Sequence, residues 1–123
     1  MRLDPSQITS LEQVVMQPGN MGVEVETLGQ HTINGVHTKV FRAKKAGTFI
    51  GKHKHPYSHG HLVAAGGFRL FADGAMVGDY WPGDMMEIQA FVDHVIMSLV
   101  DDSVGACIHP VEEPIIVGTE ELQ

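Results

Sequence analysis

The stretch Gly47-Thr-Phe-Ile-Gly-Lys-His53-Lys-His55-Pro56-Tyr57-Ser58-His59-Gly60-His61-Leu-Val-Ala-Ala-Gly66 places four of the chain's eight histidines within nine residues. The apolar residues before His53 and after His61 read as two strands, and side chains at i and i+2 of a strand share a face. His53 and His55 can therefore present two imidazoles to one point. Pro56 has no N–H for a ladder and ends the first strand. Tyr57, Ser58 and Gly60 supply a turn region, after which His59 and His61 open the next strand and can face back toward the first pair. A cage of three or four nitrogens is sterically reasonable. The competing reading is a solvated histidine-rich loop with incidental metal affinity.

Outward from this segment the punctuation is that of an all-β chain. From residue 21 on, apolar runs rich in Val, Ile, Phe and Thr alternate with Gly, Asp and Asn. Strands are predicted over 22–28, 35–43, 47–54, 60–66, 67–72, 75–81, 85–89, 92–100, 104–110 and 114–117. Asn34-Gly35 and Asp73-Gly74 suit tight hairpin turns, which demand positive φ, and an antiparallel meander is expected between them. Ten short strands in one domain suggest an antiparallel β-sandwich or jelly-roll barrel. Ile8, Leu11, Val14 and Val15 after Ser6 mark a short N-terminal helix or turn, closed by Pro18-Gly19-Asn20.

The 123 residues have the length of one ordinary domain, and 43% hydrophobic with 19% charged residues fits a soluble globular protein. Eight Lys and Arg against fifteen Asp and Glu leave a net charge of −7, which argues against a nucleic-acid backbone binder. No apolar run approaches the roughly 20 residues that span a bilayer. The start Met1-Arg2-Leu3-Asp4-Pro5 lacks a signal-peptide core, and Cys107 has no intrachain partner, so a cytoplasmic protein with no membrane partner is expected.

The histidine segment resembles the first motif of the cupin superfamily: Gly, five residues, His-x-His, three or four residues, Glu, six residues, Gly. Gly47, His53, His55 and Gly66 stand at the matching spacings, with His59 in the Glu position. The second cupin motif, Gly, five residues, Pro-x-Gly, two residues, His, three residues, Asn, is matched by Gly83 and His94. Gln89, Phe91 and Ser98 replace its Pro, Gly and Asn. With the 16 residues between Gly66 and Gly83, the two motifs cover about the central 50 residues.

The resemblance implies a single cupin-like domain over 1–123, with an N-terminal arm at 1–20, a jelly-roll β-barrel at 21–117 and a tail at 118–123. It also implies one divalent metal held by His53, His55, His59 and His94. An imidazole in place of the carboxylate leaves the site one unit more positive and favours anionic ligands. Imidazole suits Fe, Zn, Ni and Cu. Cupin-fold dioxygenases that act on thiols and diketones are known for three-histidine iron sites, so iron comes first, with zinc, nickel or manganese as alternatives.

Other residues carry weaker expectations. His61 shares the face of His59 and reads as an acid-base group, a pocket wall, a further ligand or a solvated residue, and Tyr57 as a hydrogen-bond donor or a turn residue with its hydroxyl in water. A two-residue turn at Asp101-Asp102 would pair two strands as a hairpin, setting His94 opposite His109 and Ile96 opposite Cys107, with His109 and Cys107 lining the interior. Arg42 and Arg69, if inward, could clamp a carboxylate. His31 and His37, flanking Asn34-Gly35, read as surface or strand residues.

The combined expectation is a mononuclear metal oxygenase with a small anionic chelating substrate of diketone, thiol or carboxylate type, and a homodimer. The alternatives are a non-catalytic metal- or ligand-binding sensor, and a metal-dependent isomerase or lyase.

Overall fold

The computed structural model describes residues 4–12, 25–53 and 58–111, with the backbone alone at 51–53. Nine strands follow a 3-10 turn at Pro5–Gln7: β1 Val25–Ile33, β2 Val36–Ala43, β3 Phe49–His53, β4 His59–Ala65, β5 Phe68–Ala72, β6 Ala75–Tyr80, β7 Met85–Ile88, β8 His94–Ser98 and β9 Ser103–Pro110. They form two antiparallel sheets, one of five strands ordered β1-β2-β9-β4-β7 and one of four ordered β3-β8-β5-β6. This is a jelly roll. The expected strand at 114–117 lies outside the described residues.

Both predicted hairpin turns are present. Asn34 and Asp73 each take φ 52°, and the two-residue turns put Ile33 opposite Val36 and Ala72 opposite Ala75. The expected meander between them is corrected: β2 pairs with β9 rather than β3, and β4 with β9 and β7 rather than β5. The expected hairpin of 92–100 with 104–110 is also corrected. Between β8 and β9 the chain passes from one sheet to the other, pinned by Leu99 N–H to Gly67 C=O and Asp102 N–H to Lys44 C=O. The expected turn at Asp101-Asp102 is present, with Asp102 at φ 57°, but hydrogen bonds to other segments carry the chain across to the other sheet.

The main core lies between the sheets, where Phe41, Ala43, Val63, Met86 and Ile88 of the larger sheet meet Phe68, Leu70 and Ile96 of the smaller. A second cluster, Phe49, Phe71, Val95 and Met97, covers the opposite face of the smaller sheet and receives Ile8. Ile8 is 0% exposed, a burial that stabilises by about 1.5–3 kcal/mol. Of the expected N-terminal helix or turn, the described residues show a capped 3-10 turn at Pro5–Gln7 and a bridge from Ser10 to Ala75, while Val14 and Val15 lie outside the described residues. Among the described residues no helix is long and apolar enough to cross a membrane.

Candidate metal centre

Strand alternation delivers three histidines to the inner face. On β4, His59, His61 and Val63 point inward, and Val63 belongs to the core. On β8, His94, Ile96 and Ser98 point inward, while Val95 and Met97 face the N-terminal arm. His59, His61 and His94 are 8%, 4% and 3% exposed, and one ring nitrogen from each lies within 4.8 Å of the other two.

The spacing suits a metal. The Nε2 atoms of His59 and His94 are 3.4 Å apart. Two imidazole nitrogens each about 2.1 Å from a tetrahedral ion lie about 3.4 Å from one another, so this pair is already at ligand spacing. Ring centroids are 5.1 Å apart for His59–His61, 4.8 Å for His59–His94 and 5.6 Å for His61–His94. Among the described residues the donor set is wholly imidazole, suited to iron, zinc, nickel or copper rather than to calcium or magnesium, which prefer oxygen.

Cys107 lies opposite His61 in the β4–β9 ladder, with Sγ 3.1 Å from His61 Nδ1. Burial pushes its thiol up to about 12, against a smaller opposing effect of Lys39, so it is protonated at neutral pH. With His61 bound through Nε2, its Nδ1–H would donate to this sulfur, fixing ring orientation as partners of metal-bound histidines do. Phe41 packs edge-on against the same ring at 6.4 Å between centroids.

His53 and His55 can be placed only in part. The backbone of His53 closes β3 opposite His94. His55 and Tyr57 lie outside the described residues.

Two expected substrate clamps are corrected. Arg42 points outward, because Phe41 and Ala43 take the inward positions of β2, and it sits 3.7 Å from Glu26. Arg69 lies on the outer face of the smaller sheet, since Phe68 and Leu70 turn inward. Its guanidinium donates to both carboxylate oxygens of Asp79, at 2.6 and 2.9 Å, and to the carbonyls of Ser6 and Ile8. Arg69 therefore ties down the N-terminal arm and is remote from the histidines.

His109 lies opposite His37, not His94, with their rings 5.3 Å apart. Its Nδ1–H donates to Pro110 C=O, at 2.8 Å. His37 and Lys39 share the inward face of β2 with Phe41, and sequence reasoning missed both. The period-2 alternation from Phe41 was the available signal, but which strand would lie beside β2 was not legible locally.

The motif glycines carry backbone meaning. Gly66 has φ +73° and Gly83 φ +96°, and a Cβ on Gly66 would fall 2.3 Å from Ser103 Oγ. At the lost Gly of the second motif, Phe91 keeps the left-handed conformation, at φ 64°.

No family model matches the chain, and no curated protein matches it in sequence. Solved structures do match. A cupin superfamily protein from Desulfitobacterium hafniense superposes with TM-score 0.62 at 14% identity, over 74% of this chain and 81% of its own. KdgF from Halomonas sp. gives TM-score 0.64 at 14% identity, over 77% and 87%. An RmlC-like cupin from Shewanella frigidimarina gives 0.60 at 19% identity, over 77% and 84%. The chain has the cupin fold.

Proposed function

We propose that this cupin-fold chain is a mononuclear metal oxygenase whose substrate is a small anionic chelator of diketone, thiol or carboxylate type. The observation that carries the reading is the buried group of His59, His61 and His94, which contains no carboxylate. Fold alone selects no reaction, so the argument rests on the donor set.

A divalent ion held there, iron first, would supply a Lewis acid and a place for dioxygen beside the substrate. Three neutral imidazoles leave the ion its full double charge, which strengthens the hold on an enolate, thiolate or carboxylate. His59 and His94 fix the site from opposite sheets, and Cys107 keeps His61 turned toward them. Phe41, a core residue, packs edge-on against the His61 ring.

The test is dioxygen uptake by iron-loaded protein with a β-diketone and with a mercaptocarboxylate. The expected result is substrate-dependent uptake with at least one of them, absent in His94→Ala and in zinc-loaded protein. Turnover of a substrate at equal rate by zinc-loaded protein without dioxygen would favour isomerase or lyase chemistry instead.

A further inference from the structure

The inner face of the larger sheet carries two ranks of side chains that run from β2 through β9 to β4. In one rank Lys39 lies opposite Cys107, and Cys107 opposite His61. In the other His37 lies opposite His109, and Ile108 opposite Gly60, so the same register sets His109 beside His59. Each rank thus begins with cationic or ionisable groups on β2 and ends on a histidine of the metal centre.

The geometry points to Lys39, flanked by His37 and His109, as a subsite for a carboxylate at the far end of the substrate, away from the metal-chelating head. This rests on the proposed metal-dependent reading.

Lys39 is inward by alternation with Phe41 and Ala43, and is only half-buried, so its ammonium can meet a ligand. Lys39 stands directly opposite Cys107 in the β2–β9 ladder and two residues from His37 on the same face of β2. Among the described residues Lys39 has no ion-pair partner, and Gln30, Cys107, His61 and Met86 of its rank include no Asp or Glu. In a chain of net charge −7 this rank is locally positive. Two strand spacings separate Lys39 from His61, roughly 10 Å between Cα atoms. A gap of that size suits a substrate with two or three carbons between chelating head and distal carboxylate.

The probes are 2-hydroxyglutarate and 2-hydroxypentanoate, which share a chelating head and differ in a distal carboxylate against a methyl. Binding is read from the visible spectrum of cobalt-loaded protein, with wild type, Lys39→Met and Lys39→Arg compared and folding checked by circular dichroism. Wild type should prefer 2-hydroxyglutarate by at least about tenfold, the effect of one charge-assisted hydrogen bond. Lys39→Met should reduce that preference to below about twofold without changing affinity for 2-hydroxypentanoate, and Lys39→Arg should keep most of it. Equal binding of both probes by cobalt-loaded wild type, or a preference that survives Lys39→Met, would overturn the subsite and leave the metal centre standing. Failure of wild type to take up cobalt would overturn both.

Discussion

His59 and His94, 35 residues apart in sequence and carried by opposite sheets, meet with their Nε2 atoms 3.4 Å apart. The contact joins β4 to β8 across the barrel, so whatever binds there clamps the two sheets together. An ion bound to the folded chain and not to the unfolded one raises apparent stability by mass action. Zinc or nickel at about a hundred times its dissociation constant should add about 2.7 kcal/mol to unfolding free energy. Thermal denaturation with and without chelator measures it, and an unchanged midpoint in a protein shown to hold metal would count against a clamp.

Cys107 should be inert in the folded protein. With its thiol pushed up from 9.0 to about 12, thiolate at pH 8 is scarce. Alkylation by iodoacetamide should run at least about a hundredfold slower than in urea-unfolded chain, because only the thiolate reacts. Equal rates under both conditions would place the sulfur outside the barrel.

Arg69 and Asp79 are a structural pair. The arginine side chain is 7% exposed and the aspartate side chain 29%. Asp79→Asn removes the charge that compensates a nearly buried guanidinium, and should cost about 2–3 kcal/mol in urea unfolding. Metal content should be unchanged. Loss of metal with retained stability would return Arg69 to the site.

Phe91 stores backbone strain. At φ 64° and 68% exposed, it occupies a left-handed position with little packing in return. Phe91→Gly should raise stability by about 0.5–1 kcal/mol, the relief of strain exceeding the greater chain entropy of glycine. A fall in the urea midpoint would show that the ring packs against something that matters.

His37 gives stability a pH dependence of known sign. Its folded value is lowered from 6.5, first by burial and then by His109, Lys39 and His31. The unfolded chain therefore binds the proton more readily, so stability falls as pH drops through 6.5 and levels off below the folded value. His37→Gln should flatten the wild-type slope in that window, as read from urea midpoints between pH 5 and 8. A steeper slope in the variant would reverse the assignment.

Much of the fold was legible because its signals are local. Asn34-Gly35 and Asp73-Gly74 demanded hairpins, the run of short strands suggested a sandwich or jelly roll, and the resemblance of the Gly47, His53, His55, Gly66, Gly83 and His94 spacing to the cupin motifs implied the jelly roll. The inward direction of His61 followed from its offset of two from His59, yet the family motif places only one ligand on that strand, and His61 was read first as an acid-base group. What escaped was pairing between distant strands. Nothing near Asp101 says whether the chain turns back along β8 or crosses to the other sheet, and that choice decides whether His109 neighbours His94 or His37. Arg42 and Arg69 failed for a simpler reason: Phe41 with Ala43, and Phe68 with Leu70, claim the inward positions on either side.

The central claim is that His59, His61 and His94 hold one metal ion between the sheets. Elemental analysis of untagged protein, reconstituted anaerobically with iron and then desalted, tests it alongside His61→Ala and His94→Ala variants shown by circular dichroism to be folded. The account predicts about one ion per chain in wild type and loss of most of it in each variant. Full occupancy in both variants, or none in wild type with iron, zinc, nickel or manganese, would contradict it.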